Sequence, residues 1–172
     1  MSEQELRQIP LTALFITAAV LFPQFFHLFG LGAAFLPMFL PVFAGAMVLN
    51  WKFALVLGVS SPLISWLFTG MPPLIPPVLP VMLVELGSTA LLLSFLRYHQ
   101  KKPVWLALIL GILWERFLLF ILVMVIAPLF GITHPLFSMA LVAGGFPGIA
   151  LQLIVIPQLI PMLLKRFPEY EQ

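Results

Sequence analysis

The sequence is a succession of apolar runs, most of them about as long as a bilayer-spanning helix, separated by short segments that carry nearly all of the charge. A hydrocarbon core ~30 Å thick is crossed by about 20 apolar residues in a helix, because lipid offers backbone N–H and C=O groups no other partners. The runs lie at residues 9–26, 35–49, 53–69, 81–98, 103–127 and 139–166. Six spans use about 120 residues, so a chain of 172 residues has only short connections left over. The expected architecture is an all-α integral membrane protein, with residues 1–172 forming a single six-helix transmembrane domain. Composition agrees: with 62% hydrophobic and 8% charged residues, there is too little polar surface for a soluble fold of this size.

Proline and glycine mark where the helices start, bend and stop. Pro10 suits a first turn and Pro23 a bend near the far end of helix 1. Pro37 and Pro41 break or tilt helix 2, and Pro62 lies within helix 3. The stretch 70–80 holds Pro72, Pro73, Pro76, Pro77 and Pro80. It reads as irregular, since proline brings no backbone N–H to a helix. Helix 6 is expected to start irregularly through Gly144, Gly145, Pro147 and Gly148. The N-terminal stretch MSEQELRQIP carries two acids and one base, a poor signal-peptide start, so the first apolar run reads as a retained helix.

The basic residues orient the bundle. Arg7 precedes helix 1, Lys52 lies between helices 2 and 3, Arg97, Lys101 and Lys102 lie between helices 4 and 5, and Lys165 and Arg166 end helix 6. The loops after helices 1, 3 and 5 hold no Lys or Arg. Cytoplasmic loops carry the excess of Lys and Arg, so both termini are expected inside. The outer loops are apolar and rich in Gly and Pro, and irregular backbone of that kind suits a covered pocket opening outward. Trp51 and Trp105 fall at the cytoplasmic interface, where indole rings anchor.

Three ionisable residues lie well inside the apolar runs: Glu85, Glu115 and Arg116. A charge at bilayer depth costs at least ~2.5–3.5 kcal/mol and calls for a partner or a watery cavity. Glu115 and Arg116 are adjacent, so their side chains leave the helix about 100° apart. The expectation is that they do not face each other and that Arg116 is available to Glu85 across a helix interface. Two readings stay open, an ion-pair staple between helices 4 and 5 or the polar end of a ligand pocket. Trp66 and Trp114 lie near that end, and Gln24, Gln152 and Gln158 offer hydrogen bonds to a ligand or a neighbouring helix. Ala13, Thr17 and Ala18 form a small-residue patch that lets another helix approach closely.

Several chemistries drop out. With no cysteine there is no disulfide, thiolate metal site or cysteine nucleophile. His27 and His134 have no acid nearby and make a weak metal signal. There is no GxxxxGK[ST] loop and no HExxH motif, and no run of Lys or Arg suited to nucleic acid.

With these features assembled, the chain resembles the substrate-binding S components of energy-coupling factor (ECF) vitamin transporters, over nearly its whole length. The resemblance rests on the six-helix plan and on Ala13-Leu14-Phe15-Ile16-Thr17-Ala18-Ala19-Val20-Leu21, which is similar to the family's AxxxA-bearing first helix. It rests also on Phe35-Leu36-Pro37-Met38-Phe39-Leu40-Pro41-Val42, on Ser61-Pro62-Leu63, on Thr69-Gly70-Met71-Pro72-Pro73 and on Glu85-Leu86. The second small position of the AxxxA pattern is Thr17 here.

The resemblance implies a binding subunit of the prokaryotic plasma membrane for a small micronutrient, a vitamin or vitamin precursor. It would dock through Ala13, Thr17 and Ala18 onto a transmembrane T component joined to two ATPases. ATP is hydrolysed by those partners, so the chain itself would be no enzyme and need no cofactor. Family pockets lie in the outer half, which maps the site to Met71, Glu85, Trp114, Glu115, Arg116 and Gln152. Nickel and cobalt members begin Met-His; this chain begins Met1-Ser2, which speaks against a metal substrate. Glu, Arg and Trp groups together suit a small heteroaromatic ligand. The competing readings are a structural scaffold of the cell-shape type without a ligand, a membrane enzyme using Glu85 and Glu115 as acid and base, and a self-contained channel or small transporter.

Overall fold

A computed structural model describes residues 3–30, 35–129, 131 and 145–166. The expected outer-loop residue His134 and the expected start of helix 6 at residues 139–144 lie outside this set. All regular structure among the described residues is helical: α1 (Glu3–Leu28), α2 (Phe39–Ala46), α3 (Trp51–Thr69), α4 (Val78–Ser94), α5 (Val104–Ile121) and α6 (Phe146–Arg166). A π-helical turn, Phe95–His99, prolongs α4. Another, Leu122–Ile126, prolongs α5 and is followed by a last turn, Ala127–Leu129.

Five of these helices, counting the prolonged α4 and α5, are long and apolar enough to cross a membrane. The exception is α2: of the expected second span, residues 35–49, the described helix is Phe39–Ala46. Its eight residues rise about 12 Å, well short of a bilayer, and every one is buried. It is a core plug, touching α1, α3, α4 and α6. Pro41 and the small residues Ala44, Gly45 and Ala46 let the four neighbours close around it. Phe43 and Val42 are fully buried at its centre.

The other boundaries moved for physical reasons. α1 begins at Glu3 rather than at residue 9, and carries Pro10 inside it. α4 begins at Val78 rather than at residue 81, because Pro80 falls in its first turn, where the missing N–H has no intrahelical acceptor to lose. The stretch from Gly70 to Pro77 is irregular as expected. Gly70 ends α3 in the left-handed region (φ 72°), its N–H on the Trp66 carbonyl.

The core follows from helical periodicity. On α5 the buried positions are Ala107, Leu108, Gly111, Ile112, Glu115 and Leu119. On α6 they are Gly148, Gln152, Ile156 and Ile160, a stripe one residue in four. The remaining faces are apolar and exposed, as on Leu14, Leu21 and Phe25 of α1 or Leu113 and Phe117 of α5. Outward-facing apolar surface of this extent has lipid as its natural solvent. α3 and α4 approach so closely at Gly58 that a Cβ there would lie 2.6 Å from the Leu86 carbonyl oxygen.

The basic end is tied by polar contacts. Asn50 caps α3 by accepting from the N–H groups of Lys52 (3.0 Å) and Phe53 (3.3 Å). Its own N–H donates to Gln8 Oε1 (2.9 Å). Ser94 donates from α4 to the Leu49 carbonyl (2.8 Å), and Lys52 pairs with Glu5 at 3.0 Å. These contacts bring the start of α1, the start of α3 and the end of α4 to one level. Arg7, Lys52, Arg97, Lys101 and Lys102 therefore share one end of the bundle.

Candidate functional site

The charges that lie within the apolar helices run from the middle of the bundle toward the opposite end. Glu85 is the eighth residue of α4, about 10 Å along its axis. It is 3% exposed. Thr89 lies one turn further on the same face and is completely buried. Glu115 continues the inward stripe of α5 from Leu108, Gly111 and Ile112 and is 2% exposed. Arg116 follows, partly buried.

The two neighbours on α5 face each other after all. Arg116 Nε lies 2.8 Å from Glu115 Oε2. The Cβ directions do diverge by about 100°. The guanidinium stem is long enough to fold back around the helix, and burial of the carboxylate favours that closure because an unpaired charge there is costly. The pair joins neighbours within one helix, and Arg116 also acts electrostatically on Glu85 across the interface of α4 and α5. Trp114 Nε1 also ties α5 to α4, donating to Ser88 Oγ (3.3 Å).

Hydrogen-bonding capacity is left over. Among the described residues, Glu85 Oε1, Glu115 Oε1 and Thr89 Oγ1 are buried with no hydrogen-bond partner. Glu85 is within electrostatic reach of both Glu115 and Arg116, so the three charged groups form one cluster contributed by α4 and α5. α6 enters it through Gly145, just before its first turn: a Cβ there would stand 3.3 Å from Arg116 Nη2 and 2.5 Å from Leu36 Cδ1. Gly145 takes φ 79°, so both its conformation and its surroundings favour the absence of a side chain.

The remaining candidates occupy different surroundings. Gln152 is 2% exposed and is the polar member of the buried α6 stripe. Trp114 is 38% exposed on the outer flank of α5, its ring centroid 6.1 Å from that of Phe117. Met71 is half exposed just after α3, its N–H on Thr69 Oγ1 (3.2 Å). Gln24 has a buried, unpartnered Nε2 near the same end of α1, whereas Gln158 is exposed. Thr89, Ser88 and Gly145 were not singled out from sequence. Thr89 was within reach of that reasoning, standing four residues after Glu85.

On α1, Ala13 and Thr17 are exposed and Ala18 partly so, while Leu11, Phe15 and Ala19 face inward. Thr17 turns its hydroxyl back onto the Ala13 carbonyl (2.8 Å), leaving its methyl outward. The small-residue patch is thus a free surface of the bundle, with its hydroxyl already satisfied in an apolar setting.

A family model for the substrate-specific component of ECF transporters matches residues 7–165. The chain belongs to this family. It is a multi-pass membrane protein and a substrate-binding subunit of a transporter. No curated protein and no solved structure matches it.

Proposed function

We propose that the protein is the high-affinity binding subunit for uptake of a small heteroaromatic micronutrient, a vitamin or vitamin precursor. The observation that carries this reading is the cluster of Glu85, Glu115 and Arg116, buried yet left with open acceptors on both carboxylates. Charged groups within a membrane bundle persist where they serve a ligand or pathway. Two carboxylate oxygens and the Thr89 hydroxyl can accept from ring N–H or amino groups, while apolar walls take the ring faces. Gln152, Trp114 and Met71 belong to the proposed site as its further lining. The scaffold reading treats the charges as a staple between α4 and α5 and leaves the open carboxylate oxygens of Glu85 and Glu115 unexplained.

The proposed topology has both ends in the cytoplasm of a prokaryotic cell, with the charged cluster nearer the outside. The one six-helix unit docks through Ala13, Thr17 and Ala18 onto a T component, and two ATPases supply the energy. The chain itself is then no enzyme and carries no cofactor. A thermal-shift panel of heteroaromatic compounds on the purified protein tests the reading. One compound class should raise the melting temperature of the wild type and fail to do so in Arg116→Ala. No shift with any compound, in protein that unfolds cooperatively, would contradict it.

A further inference from the structure

A second feature lies at the other end of the molecule. A cavity of about 200 Å³ opens between the end of α4, the start of α5 and the end of α6, lined by Arg97, Val104, Ile160, Pro161, Leu164 and Lys165. At ~30 Å³ per water it holds on the order of six waters, room for a phosphate and part of its hydration. Arg97 and Lys165 reach it from different helices. Arg97 gives Nη1 to the Lys102 carbonyl (2.5 Å), but its Nε is buried without a hydrogen-bond partner among the described residues. Lys101, Lys102 and Arg166 are exposed and do not line the cavity. The acids described at this end, Glu3 and Glu5, belong to α1, which packs on α2 and α3, and Glu5 is paired with Lys52.

We propose that this cavity binds the phosphate of an anionic phospholipid from the inner leaflet. Cationic side chains from two helices, Arg97 and Lys165, line one cavity, and a phosphate oxygen there completes them with short charge-assisted hydrogen bonds. The lipid source is favoured over soluble phosphate by the walls. Four of the six lining residues are apolar, and the flanks beside them, Trp105 on α5 and Met162 on α6, are exposed apolar surface along which acyl chains lie. Basic pockets between membrane helices on the cytoplasmic side have the chemistry for such headgroups. The site lies at the far end of the bundle from the Glu85 cluster and takes a different ligand.

Native mass spectrometry of the detergent-purified protein, with added phosphatidylglycerol or phosphatidylcholine, tests it. Wild type should retain phosphatidylglycerol preferentially, and Arg97→Gln or Lys165→Gln should each lower that retention roughly fivefold, with phosphatidylcholine unchanged. Lys165 is exposed, so its variant keeps the fold even if Arg97→Gln does not. Leu164→Trp, which fills the cavity and keeps both charges, should give a similar loss. Equal loss in Lys101→Gln, which removes a charge outside the cavity, would overturn the proposal in favour of general surface attraction. Full displacement by millimolar inorganic phosphate would overturn the lipid assignment. Unchanged lipid retention in every cavity variant, with weakened assembly on the coupling subunit, would make the cavity a protein contact instead.

Discussion

Arg116 closes onto the residue before it, Nε to Glu115 Oε2 at 2.8 Å, an ion pair contained in a single helix. Glu85, across on α4, then keeps a buried carboxylate oxygen open. The pair and the open acceptor make opposite demands on stability and binding, and substitutions separate them.

Truncating one member of the pair leaves the other buried and unmatched. Glu115→Ala and Arg116→Ala are each expected to destabilise the protein by about 3–5 kcal/mol, and the double variant by clearly less than the sum. Reversible unfolding in detergent of the wild type, both singles and the double measures this. Additive losses would show that the two side chains act independently.

The close approach of α3 and α4 at Gly58 should tolerate no Cβ. Gly58→Ala is expected to lower stability by about 1–3 kcal/mol through overpacking against the rigid Leu86 carbonyl. At Gly87 the nearest atom to an added Cβ is a Val59 methyl at 3.2 Å, and helix propensity favours alanine over glycine by ~1 kcal/mol. Gly87→Ala should therefore be nearly neutral. The two melting temperatures decide it.

These two cases show where sequence reasoning reached and where it stopped. Hydropathy located α3 nearly to the residue and placed Glu115 well inside the run that forms α5, because both follow from apolar length and solvent. It overextended α2, since a short plug buried by four neighbours and a proline-broken span look alike in an apolar pattern. It also misread the Glu115–Arg116 pair. A helical wheel gives Cβ directions, not the reach of a four-torsion side chain folding back on its own turn. Thr89 and the Gly145 approach to Arg116 depend on which helices meet, which one sequence does not state.

The α1 patch predicts a separation of folding from assembly. Thr17→Trp lies on exposed surface, so stability should stay within ~0.5 kcal/mol of wild type, while co-purification with the T component is lost. Thr17→Ala should keep it, because the hydroxyl is spent on the Ala13 carbonyl. Retained assembly in Thr17→Trp would move the docking face elsewhere.

Topology is open to a direct test because the chain has no native cysteine. Leu74→Cys, in the exposed connection before α4, should react with a membrane-impermeant maleimide added to intact cells. Lys102→Cys should react only after the membrane is opened. The reverse pattern would invert the bundle.

The central claim is that the Glu85, Glu115 and Arg116 cluster holds a small ligand. Mass spectrometry of small molecules released from the detergent-purified protein tests it most directly, with the charge-neutral double variant Glu115→Ala/Arg116→Ala as control. A heteroaromatic compound at near one-to-one ratio, absent from the folded double variant, is the result expected. Well-folded wild-type protein that releases no such compound, or a double variant that carries it equally, would contradict the account.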